Sequence, residues 1–122
     1  MQPITIRPAG KQDLDAIIRL LADDAIGTTR EMVSDPPAQC YVIAFAAMES
    51  DPRNEFVVAD MAGEIVGCLQ LTFIPGLSRM GMERAQIESV RVARSLRGRV
   101  WVADFLNGRS RAGARRVAAW CN

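Results

Sequence analysis

Arg84–Arg99 reads RAQIESVRVARSLRGR, and this stretch decides how the chain is read. Ala85 and Ile87 put apolar side chains on odd positions, whereas Val90 and Val92 put them on even ones. In a strand, side chains alternate faces with a period of two, so an apolar phase that slips between Ser89 and Val90 has two readings. Either one extra residue bulges out of the ladder there, or the strand is buried on both faces. Arg97-Gly98-Arg99 then follows as a short basic loop around a glycine.

Upstream, Pro75-Gly76 closes a strand predicted over 65–74, and Met61-Ala62-Gly63-Glu64 reads as the tight turn joining it to a strand over 55–59. Ile4-Thr5-Ile6-Arg7 is a short β-branched strand stopped by Pro8. Leu14, Ile17, Ile18 and Leu21 fall at helical spacing in a helix beginning at Gly10 or Lys11 and ending near Asp23. Residues 27–35 read as a polar loop, and Pro36-Pro37 opens a second helix to about Met48. The predicted order is β-α-α-β-β-β. Short turns between the last strands imply antiparallel pairing with helices on the faces, an α/β (α+β) layer fold.

Composition narrows the chemistry. The 122 residues suit one domain. Histidine is absent, which excludes Ser-His-Asp triads, Cys-His dyads and zinc helices of the HExxH type. Three cysteines at long spacings suggest neither a disulfide framework nor a metal site; Cys40 and Cys68 are expected to be buried packing residues. With no long apolar run and no signal-peptide pattern, a cytoplasmic protein without membrane contact is expected. Net charge is +1; residues 100–122 hold four Arg and one Asp, so residues 1–99 sum to −2. The main body therefore does not suggest a nucleic-acid binder.

The element order, with GEIVGCLQLTFIPGLSR and RAQIESVRVARSLRGR, resembles the GNAT superfamily of acetyl-CoA-dependent N-acetyltransferases over residues 1–99. The resemblance implies transfer of acetyl from acetyl-CoA to a primary amine of a small molecule or peptide. In that family the fourth strand splays at a bulge and pairs with the pantetheine arm. A following glycine-bearing loop turns backbone N–H groups toward the pyrophosphate. The residues implied here are Val90, Arg91 and Val92 on the strand and Arg97, Gly98 and Arg99 in the loop. Backbone N–H groups near Val90 and Val92 would hold the acetyl carbonyl. Glu88 is the candidate base that takes the ammonium proton; the alternative is a solvent-facing strand glutamate. Tyr41 lines the acceptor pocket or packs in the core. A homodimer is left open.

After Arg99 the pattern breaks. The family continues Gly-x-Gly into an amphipathic helix, but this chain continues Val100-Trp101-Val102, which would crowd the pyrophosphate. Taking each codon's third base with the next two bases permits Gly across Arg99–Val100, then Leu, Met or Val, and forces Gly across Trp101–Val102. Read to the end, that frame gives Leu, Met or Val, then a forced Val, then Gln unless that triplet is a stop. We therefore read 1–99 as the N-terminal part of the domain and 100–122 as an out-of-frame tail, with the C-terminal half of the fold missing. The rival readings are a non-catalytic remnant and an anion or nucleic-acid binder using Arg109, Arg111, Arg115 and Arg116.

Overall fold

The computed structural model describes residues 3–23, 26–100 and 104–105. β1 is Ile4–Pro8, where β-branched residues favour extended backbone. Gly10 leads into a 3-10 turn, Lys11–Asp13, and then into α1, Leu14–Ala22. Gly27–Arg30 forms a single helical turn, α2, inside the stretch expected to be loop. The second long helix, α3, is Gln39–Ser50, beginning after the prolines instead of at them. β2 (Asn54–Met61), β3 (Glu64–Ile74) and β4 (Arg84–Val92) complete the order.

All four strands pair antiparallel in the order β1-β2-β3-β4. The β2–β3 connection is a two-residue turn with both central residues left-handed, Ala62 at φ 52° and Gly63 at φ 94°. That geometry matches the right-handed twist of the strands it joins. Gly63 N–H donates to Asp60 Oδ1 at 2.7 Å and holds the turn shut.

The sheet has two unequal faces. On one, Val57, Leu69, Leu71, Phe73, Ala85 and Ile87 form the main core, closed by Leu96, Val100 and Phe105. On the other, α1 lays Ile17 and Leu20 over Val58 and Cys68. Leu20 is thus a core residue that the helical spacing passed over, while Leu14 and Leu21 are half-buried. α3 buries only Phe45 among its residues and leaves Ile43 62% exposed. Cys40 lies on that helix and is exposed, contrary to the burial expected of it. Its apolar neighbours misled because the helix turns a single side chain inward.

One ionic cluster ties the N-terminal strand to α1 and the β2–β3 turn. Arg7 donates from both terminal nitrogens to Asp13, 2.8 Å each, and from Nε to Asp60 at 3.2 Å. Gly10 N–H also donates to Asp13 Oδ2 at 2.8 Å. The Arg7 hydrogen bonds hold the Asp13 carboxyl below the usual carboxylate range, against the opposing effect of its burial.

Candidate functional site on the fourth strand

β4 pairs with β3 in regular register from Ile74↔Arg84 to Gln70↔Glu88. The register then shifts, so that Cys68 faces Arg91 and Gly67 faces Val92. Two residues, Ser89 and Val90, therefore stand against Leu69 alone. Ser89 takes φ 56°, a left-handed conformation that costs an L-residue about 1–2 kcal/mol. This is a β-bulge at the position where the apolar phase slips. The buried Cys68 thiol supports it by donating to the Ser89 carbonyl at 3.4 Å. Burial pushes that thiol up to about 12, so it stays protonated and able to donate.

The bulge sorts the side chains around it. Before it, Ala85 and Ile87 enter the main core; after it, Val90 and Val92 pack against the same core. Glu88 and Arg91 fall on the opposite face, each beside the residue it pairs with, Gln70 and Cys68. Val90 and Val92 are half-buried against the core, and their carbonyls accept from the Arg91 and Arg97 side chains, which leaves their backbone N–H groups as the candidates for a ligand. β4 is an edge strand of the sheet among the described residues, and an edge strand directs alternate backbone groups outward.

Glu88 is exposed, and Gln86 Nε2 donates to its Oε1. Arg91 donates from Nη1 to the Val90 carbonyl at 2.9 Å. Ala93 N–H donates to Val66 O at 2.7 Å, and the chain then winds a 3-10 turn, Arg94–Leu96. Leu96 is buried, anchoring a loop whose next three residues, Arg97, Gly98 and Arg99, are exposed. Gly98 has φ 88°, and a Cβ placed there would meet nothing within 4 Å. Glycine is required here by backbone angle and not by crowding. Arg97 Nε reaches back to the Val92 carbonyl at 3.4 Å, and Arg99 N–H donates to Leu96 O at 2.9 Å.

The structure thus puts Glu88 just before the bulge, Val90, Arg91 and Val92 just after it, and Arg97, Gly98 and Arg99 one 3-10 turn further on. Because of the bulge, Glu88 and Val92 stand opposite Gln70 and Gly67, three strand steps apart, about 10 Å at 3.3 Å per residue. A Cβ at Gly98 would meet open space, and the Arg97 and Arg99 side chains on either side of it are exposed. These features suit a phosphate-bearing arm running along β4 from the bulge to the loop.

Val100 corrects one expectation. Its side chain is 6% exposed and packs in the main core with Leu96 and Phe105. It therefore does not project into the space above the loop. Phe105 in turn fits because position 67 is glycine: a Cβ on Gly67 would lie 3.0 Å from Phe105 Cζ and 3.2 Å from the Arg91 carbonyl. Val102 and the four tail arginines lie outside the described residues. Tyr41 is half-buried on α3; its hydroxyl donates to Glu31 Oε1 at 2.7 Å and accepts from Met32 N–H at 3.0 Å. It pins the loop between α2 and α3.

With this geometry in place, known proteins can be compared. The family model described as the acetyltransferase (GNAT) family matches residues 14–99. The chain belongs to the GNAT acetyltransferase family. A protein of Bacillus halodurans described as a transcriptional regulator is 40% identical, with a TM-score of 0.80 over 86% of this chain and 70% of that one. An acetyltransferase of Trypanosoma brucei is 22% identical, with a TM-score of 0.65 over 86% of this chain and 70% of that one. A predicted acetyltransferase of Clostridium acetobutylicum with acetyl-CoA is 15% identical, with a TM-score of 0.63 over the same shares. The last two share the fold. No curated protein matches the chain significantly.

As a GNAT domain, the chain has the α+β sheet expected of the family, and it is an acetyltransferase by family. Among the described residues, no helix is long and apolar enough to cross a membrane. Sequence reasoning missed Cys68 as the support of the bulge and Gly67 as the space for Phe105. The Cys68 pairing follows from cross-strand register, which only the fold supplies.

Proposed function

We propose that this GNAT domain moves acetyl from acetyl-CoA to a primary amine of a small molecule or peptide, in the cytoplasm. Acetyl-CoA supplies the acyl group as a thioester. Backbone groups of Val90, Arg91 and Val92 pair with its pantetheine arm, and the N–H groups near Val90 and Val92 hold the acetyl carbonyl oxygen. Arg97, Gly98 and Arg99 receive the pyrophosphate. Glu88 takes the proton from the acceptor ammonium, directly or through water, before the amine attacks. The observation that supports this reading is the bulge at Ser89, after which the side chains at 90 and 92 pack against the core, so that we assign the ligand to their backbone N–H groups.

Residues 100–122 are part of the proposal as an out-of-frame tail, with acetyl transfer by this chain impaired. The family match stops at Arg99, where the Gly-x-Gly pattern is also lost. Since Val100 folds inward, the impairment we infer comes from the lost Gly-x-Gly pattern of the loop, not from a clash at Val100.

Thiol release from acetyl-CoA, followed across a panel of primary amines at high acetyl-CoA concentration, tests the reading. Slow transfer that Glu88→Gln lowers by about 100-fold or more is expected. An unchanged rate in Glu88→Gln would overturn the role of Glu88. No transfer by a folded chain, with no acetyl-CoA contact at Val90 or Gly98, would make the chain a non-catalytic remnant.

A further inference from the structure

The face of the sheet that carries Glu88 changes character at the level of the bulge. Toward the β2–β3 turn it is apolar, with Val58 and Cys68 under α1. Away from the turn it keeps Phe56, opposite Gln70, and otherwise carries amides and a hydroxyl. Asn54, Thr72 and Gln86 stand in register across β2, β3 and β4, and Gln70 stands opposite Glu88. A sheet face beside helices ordinarily continues as apolar surface, since half-buried polar groups must each find partners.

These polar groups are ordered with respect to one another. Asn54 Oδ1 accepts from Gln70 Nε2 at 3.1 Å and from Thr72 Oγ1 at 3.0 Å. Asn54 Nδ2 donates to Asp51 Oδ2 at 2.8 Å, which fixes which way its amide points. Gln86 donates to Glu88. Asn54, Gln70, Thr72 and Gln86 are all half-buried, so this is not a freely solvated face. Adjacent strands lie about 4.8 Å apart, so the strip from β2 to β4 is about 10 Å wide, the span of one small ring. An amide carries two donors and a carbonyl acceptor, so Gln70 and Gln86 keep hydrogen-bonding capacity beyond the bonds they already make.

We propose that Gln70, Gln86, Thr72 and Asn54 form the floor of the acceptor site beside Glu88, and that they select a primary amine flanked by hydroxyl or carbonyl groups over an alkyl amine. This rests on the acetyltransferase reading of Glu88. Glu88 receives the ammonium as the strip's negative charge. The amides and the threonine hydroxyl receive uncharged polar groups one to two strand spacings away. An apolar ring of the same size would strip water from these groups without replacing their hydrogen bonds.

The test uses the full chain and two amines, glucosamine and cyclohexylamine, which share a six-membered ring bearing a primary amine, glucosamine adding hydroxyl groups and a ring oxygen. NMR titration follows the side-chain amide signals of Asn54, Gln70 and Gln86. Glucosamine is expected to move them and to bind about 10-fold or more tighter than cyclohexylamine, the effect of a few net hydrogen bonds. Gln70→Leu with Gln86→Leu should bring the two amines within about twofold of each other. Equal binding by the unsubstituted chain overturns the proposal without requiring any variant to fold. So does binding of neither amine at tens of millimolar. Acetyl-CoA contacts at Val90 and Gly98, measured separately, test the underlying reading. A glucosamine preference without them would keep the strip and remove the transferase role, and the reverse would do the opposite.

Discussion

Arg7 and the Arg97–Arg99 loop use the same side chain for opposite ends. Arg7 is enclosed: three of its nitrogens donate to two carboxylates, Asp13 and Asp60, and join β1, α1 and the β2–β3 turn. Arg97 and Arg99 are exposed on a loop held by Leu96 beneath it and shaped by the left-handed Gly98. Around Arg7 the β2–β3 register shifts at Asp60 and the adjoining turn is left-handed at Ala62 and Gly63, but one cation sits between two carboxylates and every charge has a partner. Around the loop and the Ser89 bulge the backbone is irregular too, and there the arginines are exposed side chains on an edge strand's exit loop. What distinguishes the second arrangement is its place, exposed arginines following a bulge on an edge strand, and that is where we expect a ligand.

Four experiments can break or sharpen this contrast. The largest effect is kinetic. Cys68 supports the bulge from inside and is held protonated, so alkylation of the native chain should modify Cys40 at least about 1000-fold faster than Cys68. Peptide mass spectrometry reads both sites, and rapid labelling of Cys68 would show that the bulge opens. Next, Arg7→Ala should lower unfolding stability by about 2–3 kcal/mol, since it leaves Asp13 buried without its cation. Denaturant titration measures this, and a loss under 1 kcal/mol would reduce the cluster to surface decoration.

The same cluster sets an acid dependence. Asp13 has its folded-state pKa lowered, so its contribution is complete above the unfolded carboxylate value of about 4 and is lost as pH falls through the folded value. In Arg7→Ala the fall in stability below pH 4 should be shallower. The smallest effect is at the loop: Gly98→Ala should cost about 1–2 kcal/mol from backbone angle alone, because no atom crowds the new methyl. A neutral substitution would mean that the loop is not held in its left-handed turn.

The bulge was legible because a left-handed residue consumes a position without consuming a face, and the apolar side chains at 85, 87, 90 and 92 record the skipped step. Gly98 was legible as a family loop glycine, though its requirement for positive φ was not. The Arg7 cluster was not legible: its partners are 6 and 53 residues away, and nothing in local spacing links them. Cys40 was misread because burial on α3 depends on how the helix sits and not on how apolar it is. Val100 was misread for a related reason. Its place in the sequence pattern fixed where its backbone lies but not that its side chain turns to Leu96 and Phe105. The polar strip across Asn54, Gln70, Thr72 and Gln86 exists only once three strands are in register.

The central claim is that the β4 bulge and the loop after it form an acetyl-CoA site which residues 100–122 leave incomplete. Calorimetry tests it most directly, titrating acetyl-CoA into the 122-residue chain and into a chain whose residues after Arg99 follow the alternative reading frame. The account predicts binding on the order of 100-fold tighter in the second chain, the effect of about two charge-assisted hydrogen bonds regained at the loop. Equal micromolar affinity in both would contradict it, and would make residues 100–122 a working part of the site.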